Sequence, residues 1–161
     1  MVADRPHCLV IGVGKGTGLA CVRRFVDGGY KVSMIARHHG RLQSFAKEIE
    51  HTAAHAVDIA NLDGYRAMLQ KIVAEHGLPT KVVYNAALST FAPYAELVTD
   101  LFERNFRVNT TGLLVTAQEL APDMVAAGNG AIVVTGNTGA TRGMPRFVGF
   151  SPTKASQRIL A

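Results

Sequence analysis

The sequence feature that most constrains the fold is a glycine-rich turn near the start of the chain. The turn reads GVGKGTG over Gly12–Gly18 and joins a short apolar run, Cys8–Val13, to a segment with helical spacing. Glycine permits a tight turn and close backbone approach, and the amino end of the following helix offers free N–H groups. Between a strand and a helix that open a β-α-β unit, this turn predicts a binding site for the pyrophosphate of a dinucleotide.

Short apolar runs alternate with longer amphipathic segments, which is typical of β-α units around a parallel sheet buried on both faces. The predicted strands are Cys8–Val13, Lys31–Ala36, Ala53–Val57, Lys81–Asn85 and Ala131–Thr135. The predicted helices are Gly16–Asp27, Gly40–Glu50, Leu62–His76, Val98–Ala127 and a last helix from near Val148 to Ala161. With right-handed crossovers, this order predicts one α/β domain with a doubly wound parallel sheet, whose ligands bind beyond the carboxyl ends of the strands.

Composition favours a globular protein and argues against several functional classes. Hydrophobic residues make up 48% of the chain, and no apolar run of about 18 residues is present to span a membrane. The segment Met1–His7 lacks the pattern of a secretory signal, so we expect a cytoplasmic protein. The net charge is +5, but the basic residues are scattered, and we expect no nucleic-acid partner.

Neither the cysteines nor the histidines show the spacing of metal ligands. Cys8 and Cys21 are expected to be reduced core residues. The six histidines are His7, His38, His39, His51, His55 and His76. His51 and His55 fall on different predicted elements, and His7 and His76 are expected to stand alone, so no metal is predicted.

Several motifs, in order, resemble the short-chain dehydrogenase/reductase family. They are the spacing Gly12-x-x-x-Gly16-x-Gly18, Tyr84-Asn85-Ala86-Ala87, Val108-Asn109-Thr110-Thr111-Gly112, the run from Ala131 to Asn137, and Lys154. The resemblance spans residues 1–161 and implies a three-layer αβα Rossmann fold with strand order 3-2-1-4-5. It also implies a homo-oligomer that packs through the long helix and the last helix.

The family normally continues through further strands and a substrate-covering loop that this sequence lacks. The chain ends inside the predicted helix that carries Lys154, which leaves the fifth strand at an open edge. We therefore expect either a domain that is incomplete on its C-terminal side or a partner that covers this edge.

The resemblance implies a nicotinamide dinucleotide, and the charge after the second strand bears on which one. An acidic side chain there bonds the ribose 2′-OH, whereas a basic one accommodates a 2′-phosphate. Here Ala36 takes the acidic position, Arg37 follows it and Lys15 lies in the glycine turn. These residues favour NADP(H), with NAD as second choice. The alternative is that Arg37 and Lys15 are two basic residues on a solvated surface.

The third strand is followed by an acid, Asp58, that resembles the family's adenine-binding residue and equally suits a cap on the segment after it. The cofactor-binding residues predicted in this way are Gly12, Gly14, Lys15, Gly16, Thr17, Gly18, Arg37, Asp58, Ile59, Asn85, Ala86 and Lys154.

The catalytic centre departs from the family at two of four positions. The family uses an asparagine, a serine, a tyrosine that donates the proton, and a lysine that lowers the pKa of the tyrosine. By motif, Asn109 matches the asparagine and Lys154 the lysine, whereas Asn137 stands at the serine position and Phe150 at the tyrosine position. Phenylalanine has no titratable proton, and loss of a positioned acid costs roughly 10²–10⁴ in rate.

Two functions follow from these residues. The first is an oxidoreductase that transfers hydride between NADP(H) and a small carbonyl or alcohol, with Asn109, Asn137 and Lys154 at its centre and a non-standard proton donor. The second is a regulatory or scaffold protein that binds NADP(H) without turnover.

The dipeptide Ser151-Pro152 bears on where the last helix begins. Because the residue before proline disfavours helical angles, the helix that carries Lys154 can begin later than Val148.

Overall fold

All five predicted strands are present and form one parallel sheet in the order β3-β2-β1-β4-β5. The structure is a computed structural model that describes residues 5–161. The expectation about a secretory signal partly concerns residues 1–4, which lie outside the described residues. The strands are β1 His7–Ile11, β2 Lys31–Ala36, β3 Thr52–Ala56, β4 Lys81–Tyr84 and β5 Ala131–Val134. This topology confirms the predicted doubly wound α/β fold, with β3 and β5 at the two edges of the described sheet.

Helices cover both faces of the sheet. They are α1 Thr17–Asp27, α2 His39–Glu48, α3 Leu62–His76, α4 Thr99–Phe106, α5 Gly112–Ala126 and α6 Ser151–Leu160. Alternate residues of β1 point to opposite faces, so Leu9 and Ile11 pack with α3 and α5, whereas Cys8 and Val10 pack with α1 and α2. Cys8 is fully buried, Cys21 is half-buried against the second of these cores, and both are free thiols.

The long helix predicted over Val98–Ala127 is interrupted by a π-turn, Arg107–Thr111, between α4 and α5. There the Gly112 N–H bonds the Arg107 carbonyl five residues back, and the Tyr84 hydroxyl donates to the Val108 carbonyl. A Cβ on Gly112 would lie 2.4 Å from the Tyr84 hydroxyl oxygen. Helical periodicity cannot predict this turn, because the contact between Gly112 and Tyr84 is tertiary.

The last helix begins at Ser151 rather than near Val148, with Pro152 in its first turn. Proline is tolerated there because the first N–H groups of a helix have no partner within it. The late start that Ser151-Pro152 favours is therefore confirmed. No helix between residues 5 and 161 combines the length and the apolar character that a bilayer crossing requires.

Two histidines expected to stand alone are in contact where α3 ends, so that expectation is wrong. The rings of His7 and His76 have centroids 5.9 Å apart, and those of His55 and His76 lie 5.3 Å apart. Gly77, with a φ of 79°, turns the chain after α3, and its carbonyl accepts a hydrogen bond from His7 Nδ1. The sheet brings residues from β1 and β3 to one helix end, which sequence spacing does not reveal.

We expect Gly12→Ala to lower the free energy of unfolding by at least about 2 kcal/mol, because it adds both strain and a backbone clash. Gly12 has a φ of 90°, and a Cβ there would lie 2.4 Å from the Ala86 nitrogen. Urea denaturation followed by circular dichroism measures the change. Gly14→Ala is the matched control, since a Cβ on Gly14 meets no described atom within 4 Å. Equal stability of the two variants would contradict this account.

Candidate active site

A cleft of about 260 Å³ opens at the carboxyl ends of β1 to β4, where parallel α/β sheets bind ligands. The predicted cofactor residues that line it are Gly12, Gly14, Arg37, Asp58, Ile59, Asn85 and Ala86. Four different strand ends contribute these residues. The fold therefore brings distant parts of the sequence to one site.

The other predicted cofactor residues do not line this cleft. Lys15, Gly16 and Thr17 are exposed at the start of α1, and Gly18 is buried, where a Cβ would lie 2.5 Å from the Gly12 carbonyl oxygen. Lys154 lies beyond the cleft lining, on α6. Of these residues, Gly18 acts structurally by letting α1 approach β1 closely.

The start of the glycine turn is hydrogen-bonded to neighbouring strand ends, whereas Gly14 and Gly16 are open. The N–H groups of Gly12 and Val13 donate to the Ile35 carbonyl at 2.8 and 3.0 Å, and Asn85 Nδ2 donates to the Gly12 carbonyl at 2.8 Å. Gly14 and Gly16 have no described atom within 4 Å of an added Cβ, and the first turn of α1 carries no acidic side chain. This open backbone at a helix amino end suits a pyrophosphate.

Basic side chains form one wall of the cleft. Arg37, His38 and Arg41 all line it. From the sequence we assigned only Arg37 of this basic cluster, which consists of Arg37, His38 and Arg41, to the site. The signal was available, because the cluster directly follows the end of β2 at Ala36.

Asp58 is the one acidic residue that lines the cleft within residues 5–161. Its Oδ2 accepts a hydrogen bond from Arg104 Nη2 at 2.6 Å, and its Oδ1 accepts one from the Ala60 N–H at 3.0 Å. Both open interpretations of this residue are thus compatible with its position, since it caps the turn before α3 and also faces the cleft. The cap of α3 itself is Asn61, which accepts from the Gly64 N–H.

Asn109, on the π-turn, is fully buried, and its side chain forms hydrogen bonds with two other segments of the chain. Its Oδ1 accepts from the Leu88 N–H, and its Nδ2 donates to the Leu88 carbonyl, both at 2.8 Å. The same Nδ2 donates to the Thr153 hydroxyl at 2.7 Å. Asn109 therefore ties the loop after β4 to α6, which places it as a positioning residue.

Lys154 is 3% exposed, and burial lowers its pKa from the ordinary value. Its Nζ donates to the Thr135 carbonyl at 2.8 Å and to Oε1 of Gln157. Gln157 Nε2 in turn donates to the Asn109 carbonyl at 2.6 Å. Sequence reasoning missed Gln157, although its position three residues after Lys154 puts both on one helix face.

The two divergent positions hold groups with structural contacts. Phe150 is buried with its ring 6.0 Å from that of Phe91, and Asn137 Oδ1 accepts from the Gly139 N–H at 2.7 Å. Next to them, the buried Ser151 hydroxyl has no hydrogen-bond partner among the residues described. A hydroxyl without a partner among the described residues therefore lies directly after Phe150 in the sequence.

Comparisons with known proteins agree with this geometry. The family model for short chain dehydrogenase matches residues 6–161. D-erythrulose reductase of Gallus gallus is 29% identical over 96% of this chain and 62% of its own length. The NADP-dependent 3-hydroxy acid dehydrogenase of Salmonella typhimurium is 30% identical over 93% of this chain and 61% of its own.

A solved structure matches the fold over nearly all of the chain. The alcohol dehydrogenase of the archaeon Thermococcus sibiricus, complexed with 5-hydroxy-NADP, has a TM-score of 0.90 and 26% identity over 98% of this chain and 68% of its own. The chain spans about 60% of the length of the curated relatives that it matches.

We expect Gln157→Leu to lower the free energy of unfolding by about 1–3 kcal/mol, because it leaves the buried Asn109 carbonyl without its donor and removes an acceptor from Lys154. Urea denaturation monitored by circular dichroism measures the loss. Arg158→Ala, an exposed neighbour on α6, is the control and should stay within about 0.5 kcal/mol of the parent. A loss no larger for Gln157→Leu than for this control would refute the buried bridge.

Proposed function

Because this chain belongs to the short-chain dehydrogenase family, we propose that it is an oxidoreductase that uses NADP(H) and acts on a small carbonyl or alcohol. The observation that carries this proposal is the cleft at the strand ends, with open glycine backbone on one side and Arg37, His38 and Arg41 on another. NADP(H), when bound, supplies or accepts the hydride.

Two groups of residues are assigned to the cofactor, an uncharged glycine backbone and a pair of arginines. We assign the pyrophosphate to the backbone of Gly14 and Gly16 at the amino end of α1, where free N–H groups favour an anion. We assign the 2′-phosphate to Arg37, with Arg41 beside it, since guanidinium groups match phosphate geometry. The relatives whose names or titles include NADP support this choice over NAD.

Proton transfer is the step at which this chain differs from the family pattern. Reduction of a carbonyl places a hydride on carbon and a proton on oxygen, and Phe150 offers no proton. Asn137 can donate an amide hydrogen bond to the carbonyl oxygen, and Lys154 carries an ammonium group that is engaged with Thr135 and Gln157. We therefore expect slow turnover in which the proton comes from solvent or from Lys154 through water.

A second candidate is binding of NADP(H) without turnover, in a regulatory or scaffold role. It is favoured by the closed network around Lys154, whose Nζ is bonded to protein atoms, and by the packing of Phe150 against Phe91. Both candidates require the same cofactor cleft and differ only in the chemistry beside it.

We further propose a cytoplasmic homo-oligomer that has no nucleic-acid partner. Exposed apolar side chains on α5 and α6 support the packing of subunits through these helices, and they include Leu114, Val125, Ile159 and Leu160.

Replacing Arg37 by Ala should raise the Kd of NADPH roughly 10–100-fold and leave that of NADH within about threefold, because the guanidinium pairs only with the extra phosphate. Quenching of intrinsic tyrosine fluorescence or calorimetric titration measures both constants. Arg24→Ala removes the same charge from an exposed position on α1 and should change neither. Equal weakening of both cofactors by Arg37→Ala would refute this assignment.

Restoring the family pair, Phe150→Tyr with Asn137→Ser, should raise kcat/KM roughly 10²–10⁴-fold, because it adds a positioned proton donor. NADPH oxidation with small ketoses, aldehydes and ketones, and NADP reduction with 3-hydroxy acids and alcohols, measure the change. Phe102→Tyr, on α4, is the control for an added phenol and should have no effect.

The outcome also separates the two candidate functions. Slow but measurable turnover by the parent supports the oxidoreductase, whereas tight NADPH binding with turnover only in the restored variant supports the binding protein. Absence of NADP(H) binding at millimolar concentration would overturn both.

A further inference from the structure

Two imidazoles and a carboxylate converge where α3 ends against the sheet. His55, Glu75 and His76 each offer one ligand atom, and these three atoms all lie within 4.8 Å of one another. His55 comes from the edge strand β3, and the other two are the last residues of α3. None of the three lines the cofactor cleft. The cluster therefore lies apart from the proposed redox chemistry.

His55 provides the observation that points to a ligand. It is 8% exposed, and its Nε2 is buried without any hydrogen-bond partner in the described part of the chain. A buried polar atom without a hydrogen-bond partner costs about 1–3 kcal/mol, so the unpaired Nε2 of His55 requires an explanation.

His7 forms an uncharged wall of the cluster. Because a carbonyl only accepts, His7 Nδ1 must carry the proton that it shares with the Gly77 carbonyl at 2.8 Å. Burial lowers the pKa of His7 to about 4, so the ring is neutral at pH 7 and its Nε2 accepts from the Ser33 hydroxyl at 2.9 Å. With both nitrogens occupied, His7 packs against His76 rather than serving as a ligand.

We propose that His55, Glu75 and His76 bind a divalent transition-metal ion, with Zn²⁺ as the expected occupant. Two imidazoles and one carboxylate are a ligand set that Zn²⁺ accepts, with water in the fourth position. Tetrahedral bonds of about 2.0 Å need ligand atoms about 3.3 Å apart, so the side chains must close in. Glu75 and His76 are free to do so, because their side chains are 46% and 30% exposed.

Lys71 competes with a bound cation for the Glu75 carboxylate. Lys71 Nζ lies 3.7 Å from Glu75 Oε1, one helical turn earlier on α3. A bound cation must replace this exposed ion pair, which is worth little in water. The bound ion would join the edge strand β3 to the end of α3, and it would stabilise the fold by mass action.

The test uses the whole protein without an affinity tag, stripped with EDTA and titrated with Zn²⁺ by calorimetry. We expect one ion per chain. Co²⁺ should give the strong visible absorption of a tetrahedral site. Glu75→Ala and His76→Ala, both at accessible positions, should weaken binding at least tenfold.

Two further variants make the site assignment specific. Lys71→Ala should tighten binding, because it frees the Glu75 carboxylate, and His39→Ala, an exposed histidine on α2, should change nothing. Glu75→Ala and His76→Ala leave the buried His55 in place, so a failure to fold is not expected. Binding that is absent at 100 µM Zn²⁺ (about −5.5 kcal/mol), or that survives both of these variants, would overturn the proposal.

Discussion

The close contact between the first glycine turn and the end of β4 is the constraint on which the rest of the structure depends. Gly12 donates to the Ile35 carbonyl and accepts from Asn85, so one residue links three neighbouring strand ends. A side chain there would collide with the backbone of Ala86. Because these strands can close together only around a glycine, the same contact creates the cleft and leaves the amino end of α1 open to an anion.

Behind the cleft, a buried polar network joins the loop after β4, the π-turn and α6. Asn109 holds the loop after β4 and α6 together, and Gln157 joins the Asn109 carbonyl to Lys154. Each buried group in this chain of contacts has a partner, which makes the arrangement rigid.

Much of the fold could be predicted because local chemistry and tertiary structure agree there. The strand β2 and the helix α3 have the predicted bounds, since apolar runs and the glycine that follows a helix act locally. The π-turn before Gly112 could not be predicted, because it depends on Tyr84 from a distant strand. The contact between His55 and His76 was missed for the same reason.

The sequence by itself determined the parallel α/β topology and the residue types around the cleft at the strand ends, because glycine conformation, hydrophobic period and charge are properties of single residues and their neighbours. Only the tertiary structure decided which atoms those residues contact: that Asp58 pairs with Arg104, that Gln157 holds Lys154, and that His55 faces Glu75 and His76. Such pairings join elements far apart along the chain. They are set by how the helices pack on the sheet, which no local pattern encodes.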